Sequence, residues 1–194
     1  MRRPKTSQTL IIGYGNPLRS DDGFGWHAGR LVARELAGQD AEVITCHQLT
    51  PELAEPLSQC SRAVFIDADA EGNPGDIHCR NVVPQAPASS AFTHSCTPSG
   101  LLASAEVLYG LRPPAVVITV SAQSFAFGDS LSPVVSAALP KVVDRVCQLA
   151  SLHKLYDKTQ NGSCDGIGTS IPNTPLEERR TNEVKCYGDR KCEP

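Results

Sequence analysis

The amino-acid sequence predicts an α/β fold: a three-layer domain with a mostly parallel, twisted sheet of about five strands, helices on both faces, and one edge strand open to antiparallel pairing. Three observations carry this. Short apolar runs alternate along the chain with stripes of helical period. Three helix starts are marked by Thr50-Pro51, Thr97-Pro98 and Ser132-Pro133, each a hydroxyl residue in the cap position followed by proline, which has no N–H to lose. The run Ala63-Val64-Phe65-Ile66 shows no polar alternation, as expected of a strand covered on both faces.

Taken in order, Leu10 to Ile12 reads as the first buried strand, ending in a turn punctuated by Gly13 and Gly15 and fixed by Asn16-Pro17. Gly25 to Leu36 follows as a helix with Ala28, Leu31, Val32 and Leu36 inward and Arg30, Arg34 and Glu35 outward. Ala41 to Cys46 is the second strand, and the helix opened by Thr50-Pro51 runs to about Gln59. Ala63 to Asp67 is the third strand. Glu71 to Gly75 is a turn, Asp76 to Arg80 a weaker edge strand, and Asn81 to Thr93 a loop rich in Pro, Ala and Ser. A helix from Thr97-Pro98 presents Leu101, Leu102, Ala105, Leu108 and Tyr109, and Ala115 to Val120 is the last strand. Ser132-Pro133 opens a final helix carrying Val134, Val135, Ala138, Leu139, Val142, Val143 and Val146. The pattern stops near residue 153. The expected division is therefore an α/β domain over 1–153 and a polar, disordered tail over 154–194, whose acids and bases cancel.

The 194 residues carry a formal charge of −3, which offers no electrostatic case for nucleic acid or an anionic membrane. Arg2, Arg3 and Lys5 precede an apolar run of only Leu10 to Ile12, too short for a signal peptide, and no segment approaches membrane-spanning length. A cytoplasmic protein is expected. Five of the eight cysteines (Cys46, Cys60, Cys79, Cys96, Cys147) stand singly in apolar or loop segments, no C-x-x-C pair occurs, and Cys186 and Cys192 have no partnering histidine. Reduced, packed thiols fit better than disulfides or structural zinc.

Ligands of open α/β sheets bind above the carboxyl ends of the strands. Asp21 and Asp22 follow the first strand, Asp67 ends the third, and His94 precedes a helix start. Two carboxylates and an imidazole on separate loops form an oxygen/oxygen/nitrogen set suited to a borderline divalent metal such as nickel or zinc. Taken singly, each has a plainer reading, as a cap, a loop hydrogen-bonder or a satisfied core group. His27, His47, His78 and His153 are read as structural. A dinucleotide loop fails because Leu18 stands where the third glycine belongs and Cys46-His47 where a ribose-binding acid belongs. Cys96 beside His94 could make a nucleophile, but sequence neighbours rarely form the working pair.

The stretch Ile11-Ile12-Gly13-Tyr14-Gly15-Asn16-Pro17-Leu18-Arg19-Ser20-Asp21-Asp22-Gly23-Phe24-Gly25 closely resembles the opening motif of the nickel–iron hydrogenase maturation endopeptidases. His47-Gln48-Leu49-Thr50-Pro51-Glu52-Leu53-Ala54 is similar to the form found in proteases that process soluble, NAD-linked hydrogenases. Phe65-Ile66-Asp67-Ala68 resembles the next block, and Thr93-His94-Ser95 with Leu101-Leu102-Ala103 and Leu108-Tyr109-Gly110 the third, over roughly residues 9 to 150 in the expected order.

The resemblance implies a peptidase, nominally of aspartic type, that removes a C-terminal extension from the hydrogenase large-subunit precursor once nickel is inserted. The family's metal-contacting positions fall on Asp22, Asp67 and His94, with nickel supplied by the substrate and no organic cofactor. The first of these is often Glu in the family. Asp22 is chosen because the second acid of the pair aligns, and Asp21 is left to cap the helix. The competing readings are a nickel-binding maturation chaperone without catalysis and a small-molecule hydrolase on the same scaffold. A first prediction concerns the tail: deleting Asp157 to Pro194 leaves the melting temperature nearly unchanged, because the segment has too little apolar surface to add to a core. A drop of many degrees in a thermal melt would show that it does contribute.

Overall fold

The computed structural model describes residues 8–85 and 96–160, with 152–160 as backbone only. Its elements are β1 (Thr9–Tyr14), α1 (Phe24–Glu35), β2 (Ala41–Cys46), α2 (Ala54–Gln59), β3 (Arg62–Asp69), β4 (Ile77–Asn81), α3 (Pro98–Tyr109), β5 (Ala115–Ser121), α4 (Pro133–Ser136) and α5 (Leu139–Gln160). The strands form one sheet in the order β2-β1-β3-β5-β4. β1 pairs in parallel with β2 and β3, β3 in parallel with β5, and β4 runs antiparallel to β5 at the edge. Both the class and the antiparallel edge agree with the sequence.

Side chains alternate across the strands, so each strand feeds two cores. Ile11, Val64, Ile66, Ile118 and Val120 pack with α1, α4 and α5 on one face. Leu10, Ile12, Ala63, Phe65 and Val117 pack with α2 and α3 on the other. Burial on both faces is what the unbroken apolar runs required. β1 lies between β2 and β3, and α1 and α2 return over opposite faces. The carboxyl ends of β1 and β3 therefore flank the topological switch point, where open α/β sheets leave a crevice.

The register fixes what meets there. Ile12 lies opposite Phe65 and Gly13 opposite Ile66, so the next step brings Tyr14 beside Asp67 on the α2/α3 face. Asp67 is in turn paired with Thr119 of β5, and Thr119 with His78 of β4. One polar row thus runs across the sheet just above the apolar core.

Several details differ from the sequence reading. Gly13 and Tyr14 remain within β1, so the turn begins only at Gly15, whose φ of 129° is closed to other residues. Gly13 has no such φ. It is needed for space, because a Cβ there would collide with the carbonyl oxygen of Gly25 in α1. The final helix is two helices, α4 and α5. Pro140 is the second residue of α5, where its missing N–H costs nothing, whereas it could not continue the turn that begins at Pro133. α5 then extends to Gln160, beyond the expected end near 153. Only the middle hydroxyl-proline start caps as read: Thr97 accepts a bond from the Gly100 N–H at 3.1 Å, whereas Thr50 and Ser132 accept none. Among the described residues no helix is long and apolar enough to cross a membrane. The expected tail after 160 lies outside the described residues.

The contact between β1 and α1 yields a prediction. Gly13→Ala destabilises the protein by roughly 1–3 kcal/mol, because backbone rather than a flexible side chain must yield. Urea unfolding measures it, and an unchanged midpoint would mean that α1 can lift off β1 freely.

Candidate functional site

The turn after β1 is built by short-range bonds. The Leu18 N–H donates to Asn16 Oδ1 at 3.0 Å and the Arg19 N–H to the Asn16 carbonyl at 3.0 Å. Ser20, at φ 47°, is a left-handed residue without the freedom of glycine, and its N–H donates to the Gly128 carbonyl at 2.9 Å. A 3₁₀ turn, Ser20–Gly23, then delivers the chain to α1. Asp22 sits half-buried on it. Its Oδ2 accepts the Asn16 N–H at 3.0 Å, which ties the acid back over the turn that presents it.

Asp21 does not cap α1. The cap residue of that helix is Gly23, with no side-chain bond. Asp21 instead turns inward and is fully buried. Its Oδ2 accepts the Gln123 N–H at 2.9 Å, the Ser124 N–H at 3.0 Å and the Ser132 hydroxyl at 2.9 Å, while Oδ1 accepts the Ser132 N–H at 2.7 Å. The carboxylate thus satisfies the segment that follows β5, a role no local pattern predicts. Of the adjacent acids, Asp22 is the one left partly open to solvent.

Asp67 lies at the end of β3, where its Oδ1 accepts the Ala68 N–H at 2.8 Å. It also accepts a bond from the Tyr14 phenol. Burial is the main cause that raises its carboxyl from the ordinary 3.8 to about 6. The Tyr14 and Ala68 hydrogen bonds pull it down, and the charges of Asp22 and Asp69 push it up. Burial, and then the Asp67 charge, raise the Tyr14 phenol well above its usual range. Near neutral pH Asp67 therefore exchanges its proton readily while Tyr14 remains a donor.

Tyr14, Asp67, Asp69, Arg80, Thr97 and Thr119 are among the residues lining a cavity of about 370 Å³ between β4 and the start of α3. Arg80 reaches Asp69 only at 3.9 Å, with most of its side chain in solvent, so this pair adds little. Asp22 acts on this cavity through its charge on Asp67 and does not line it. His94, the expected nitrogen ligand, lies outside the described residues. Among those that are described, no three metal-ligating side chains gather. The donor chemistry of Asp22 and Asp67 fits a divalent metal as two of three ligands.

The other candidates fall away on local grounds. Burial first, and then the Glu52 charge, raise the Cys96 thiol, the opposite of what a nucleophile needs. His78 Nε2 lies 3.4 Å from Ser121 Oγ, a satisfied edge histidine. His27 stacks edge-on against Trp26. Burial and then Arg30 lower its affinity for a proton, and its Nε2 has no hydrogen-bond partner among the described residues. Tyr14 is the site residue that sequence reasoning missed. The signal was present, since Tyr14 continues the Leu10, Ile12 face, but it was hidden by starting the turn at Gly13.

No protein-family model matches this sequence, and no curated protein matches it. Solved structures do. The hydrogenase 2 maturation peptidase of a Thaumarchaeota archaeon is 23% identical, with a TM-score of 0.57 over 75% of this chain and 99% of that one. The [NiFe] hydrogenase maturation protease HybD of Thermococcus kodakarensis is 26% identical, with a TM-score of 0.55 over 74% of this chain and 99% of that one. The hydrogenase maturating endopeptidase HybD of E. coli is 18% identical, with a TM-score of 0.58 over 80% of this chain and 94% of that one. The chain has the fold of the hydrogenase maturation proteases, in keeping with the resemblance of its motifs.

The charge state of Asp67 is testable. Its folded value lies above its unfolded one, so the acid favours folding when protonated and opposes it once ionised. Asp67→Asn therefore stabilises the protein at pH 7–8 by roughly 1–3 kcal/mol. The gain shrinks as pH falls through about 6 and vanishes below the unfolded value. Chemical denaturation of both proteins across pH measures this, and a variant less stable than wild type at pH 8 would contradict it.

Proposed function

We propose that this chain, which shares the fold of the [NiFe] hydrogenase maturation proteases, is an endopeptidase that removes the C-terminal extension of a nickel–iron hydrogenase large-subunit precursor after nickel insertion. The observation that carries the reading is the meeting of Asp67 with Tyr14 at the switch point of the sheet, within reach of the Asp22 charge. The motif order over residues 9 to 150 supports it independently. The substrate nickel would be held by Asp22, Asp67 and His94. The form of the His47 to Ala54 block favours a soluble, NAD-linked hydrogenase as the source of the precursor.

Substrate-borne nickel would supply Lewis-acid polarisation of a peptide carbonyl. The chain's own groups do the rest. Holding the ion requires the ionised carboxylate of Asp67, so nickel must displace the proton that burial favours there, while Tyr14 and the Ala68 N–H fix the carboxyl in one orientation. Cleavage of this kind does not require a pair of aspartates sharing one proton.

Incubation with nickel-loaded precursor tests the reading: a mass decrease of the large subunit equal to its C-terminal extension is expected, with empty precursor left intact. Stable co-elution without shortening would favour the chaperone, and turnover of generic esters the small-molecule hydrolase. Asp22→Asn, Asp67→Asn and His94→Ala each lower the cleavage rate by about a hundredfold or more, the scale of losing one electrostatic contact to the reacting group. Full activity of the Asp67 and His94 variants would sink the assignment of these residues.

A further inference from the structure

Asp21, expected to cap the helix, instead makes four hydrogen bonds to residues more than a hundred positions away. Its own N–H also donates to the Ser124 carbonyl at 3.1 Å. The contact continues on either side. The Ser20 N–H donates to the Gly128 carbonyl at 2.9 Å, and the Gly128 N–H to the Leu18 carbonyl at 3.1 Å. The turn after β1 and the segment after β5 are thereby laced into one body. β1 and β5 are not neighbours in the sheet. They flank β3, the strand that ends in Asp67.

A buried carboxylate is costly unless hydrogen-bonded, and here three backbone N–H groups and one hydroxyl satisfy it. These donors belong to a segment without helix or strand, so they hold the carboxylate only while that segment keeps its path. The converse also holds: the segment's amides have Asp21 as their acceptor. We infer that Asp21 is a positioning residue. By clamping the turn after β1 to the segment after β5, across the end of β3, it fixes Asp22 relative to Asp67. Resting as it does on the endopeptidase reading, the inference assigns Asp21 no contact with substrate or metal.

Asp21→Asn tests it. The amide oxygen can keep the three donors at the Oδ2 position, but its NH₂ group then faces the Ser132 N–H, so one bond is lost and the clamp loosens. Hydrogen exchange at Gln123, Ser124 and Ser132 is expected to speed up by about tenfold or more while β1 and β3 amides keep their protection. Precursor cleavage is expected to lose on the order of tenfold in kcat with little change in KM, the scale of a small misplacement of a reacting group. Combined with Asp22→Asn, the substitution should cost nothing further, because a positioning residue has nothing left to position. Losses that multiply in the double variant would overturn the inference, as would a wild-type kcat with the clamp amides exposed.

Should Asp21→Asn fail to fold, Ser132→Ala removes the hydroxyl donor alone and predicts the same pattern at smaller amplitude. A wild-type chain that leaves loaded precursor uncut would defeat the endopeptidase reading. The exchange arm then still decides the clamp, since unchanged protection at the three amides overturns it whatever the activity.

Discussion

The close passage of α1 over β1 is the constraint on which the rest of the site depends. With no side chain on Gly13, the Gly25 carbonyl can lie directly against the strand. The first turn of α1 is thus drawn down to the end of the sheet. Because α1 starts low, the short 3₁₀ turn before it stands above the carboxyl ends of β1 and β3, and Asp22 with it. A side chain at this contact would raise the helix and carry the acid away from Asp67. A requirement for close packing in the core thereby becomes a requirement on the geometry of the site.

The two adjacent acids divide their work by direction. Asp21 points down, where four donors meet a charge cut off from solvent. Asp22 stays half-open to solvent and, among the described residues, accepts the amide of Asn16 in its own turn. A carboxylate satisfied by a fixed set of backbone donors is a poor ligand, since those bonds would have to be given up. One kept by a single amide has lone pairs to spare. Asp67 is the third case: burial raises it, Tyr14 and Ala68 hold it, and neighbouring charges keep it near its titration point. The three aspartates thus occupy three surroundings: one buried among fixed donors, one tied to its own turn, and one buried at a strand end.

Much of this was legible beforehand. The strands and most of the helices follow from hydrophobic period and proline placement, because burial on both sheet faces imposes a pattern that local sequence must carry. Asp67 was legible as a charge ending an apolar run. The split at Pro140 could have been read from the proline rules, and the unbroken apolar stripe through Val134 to Val146 obscured it. Which face Tyr14 takes was legible from the Leu10, Ile12 stripe, but its meeting with Asp67 needed the register of β1 against β3, which a single strand does not encode.

By itself, the sequence determined the α/β class, the two-sided core and the crevice end at which the acids stand, since each follows from periodicity and from chain order around the switch point, whereas the antiparallel pairing of β4 with β5 was settled by the fold. Only the tertiary structure decided that Gly13 serves space rather than φ, that Tyr14 is hydrogen-bonded to Asp67, and that Asp21 is buried while Asp22 is not. Each of these depends on atoms distant in sequence: the Gly25 carbonyl, a strand four elements further along the chain, and backbone amides after β5. Local pattern records which face a residue takes, but not which donor it will find there.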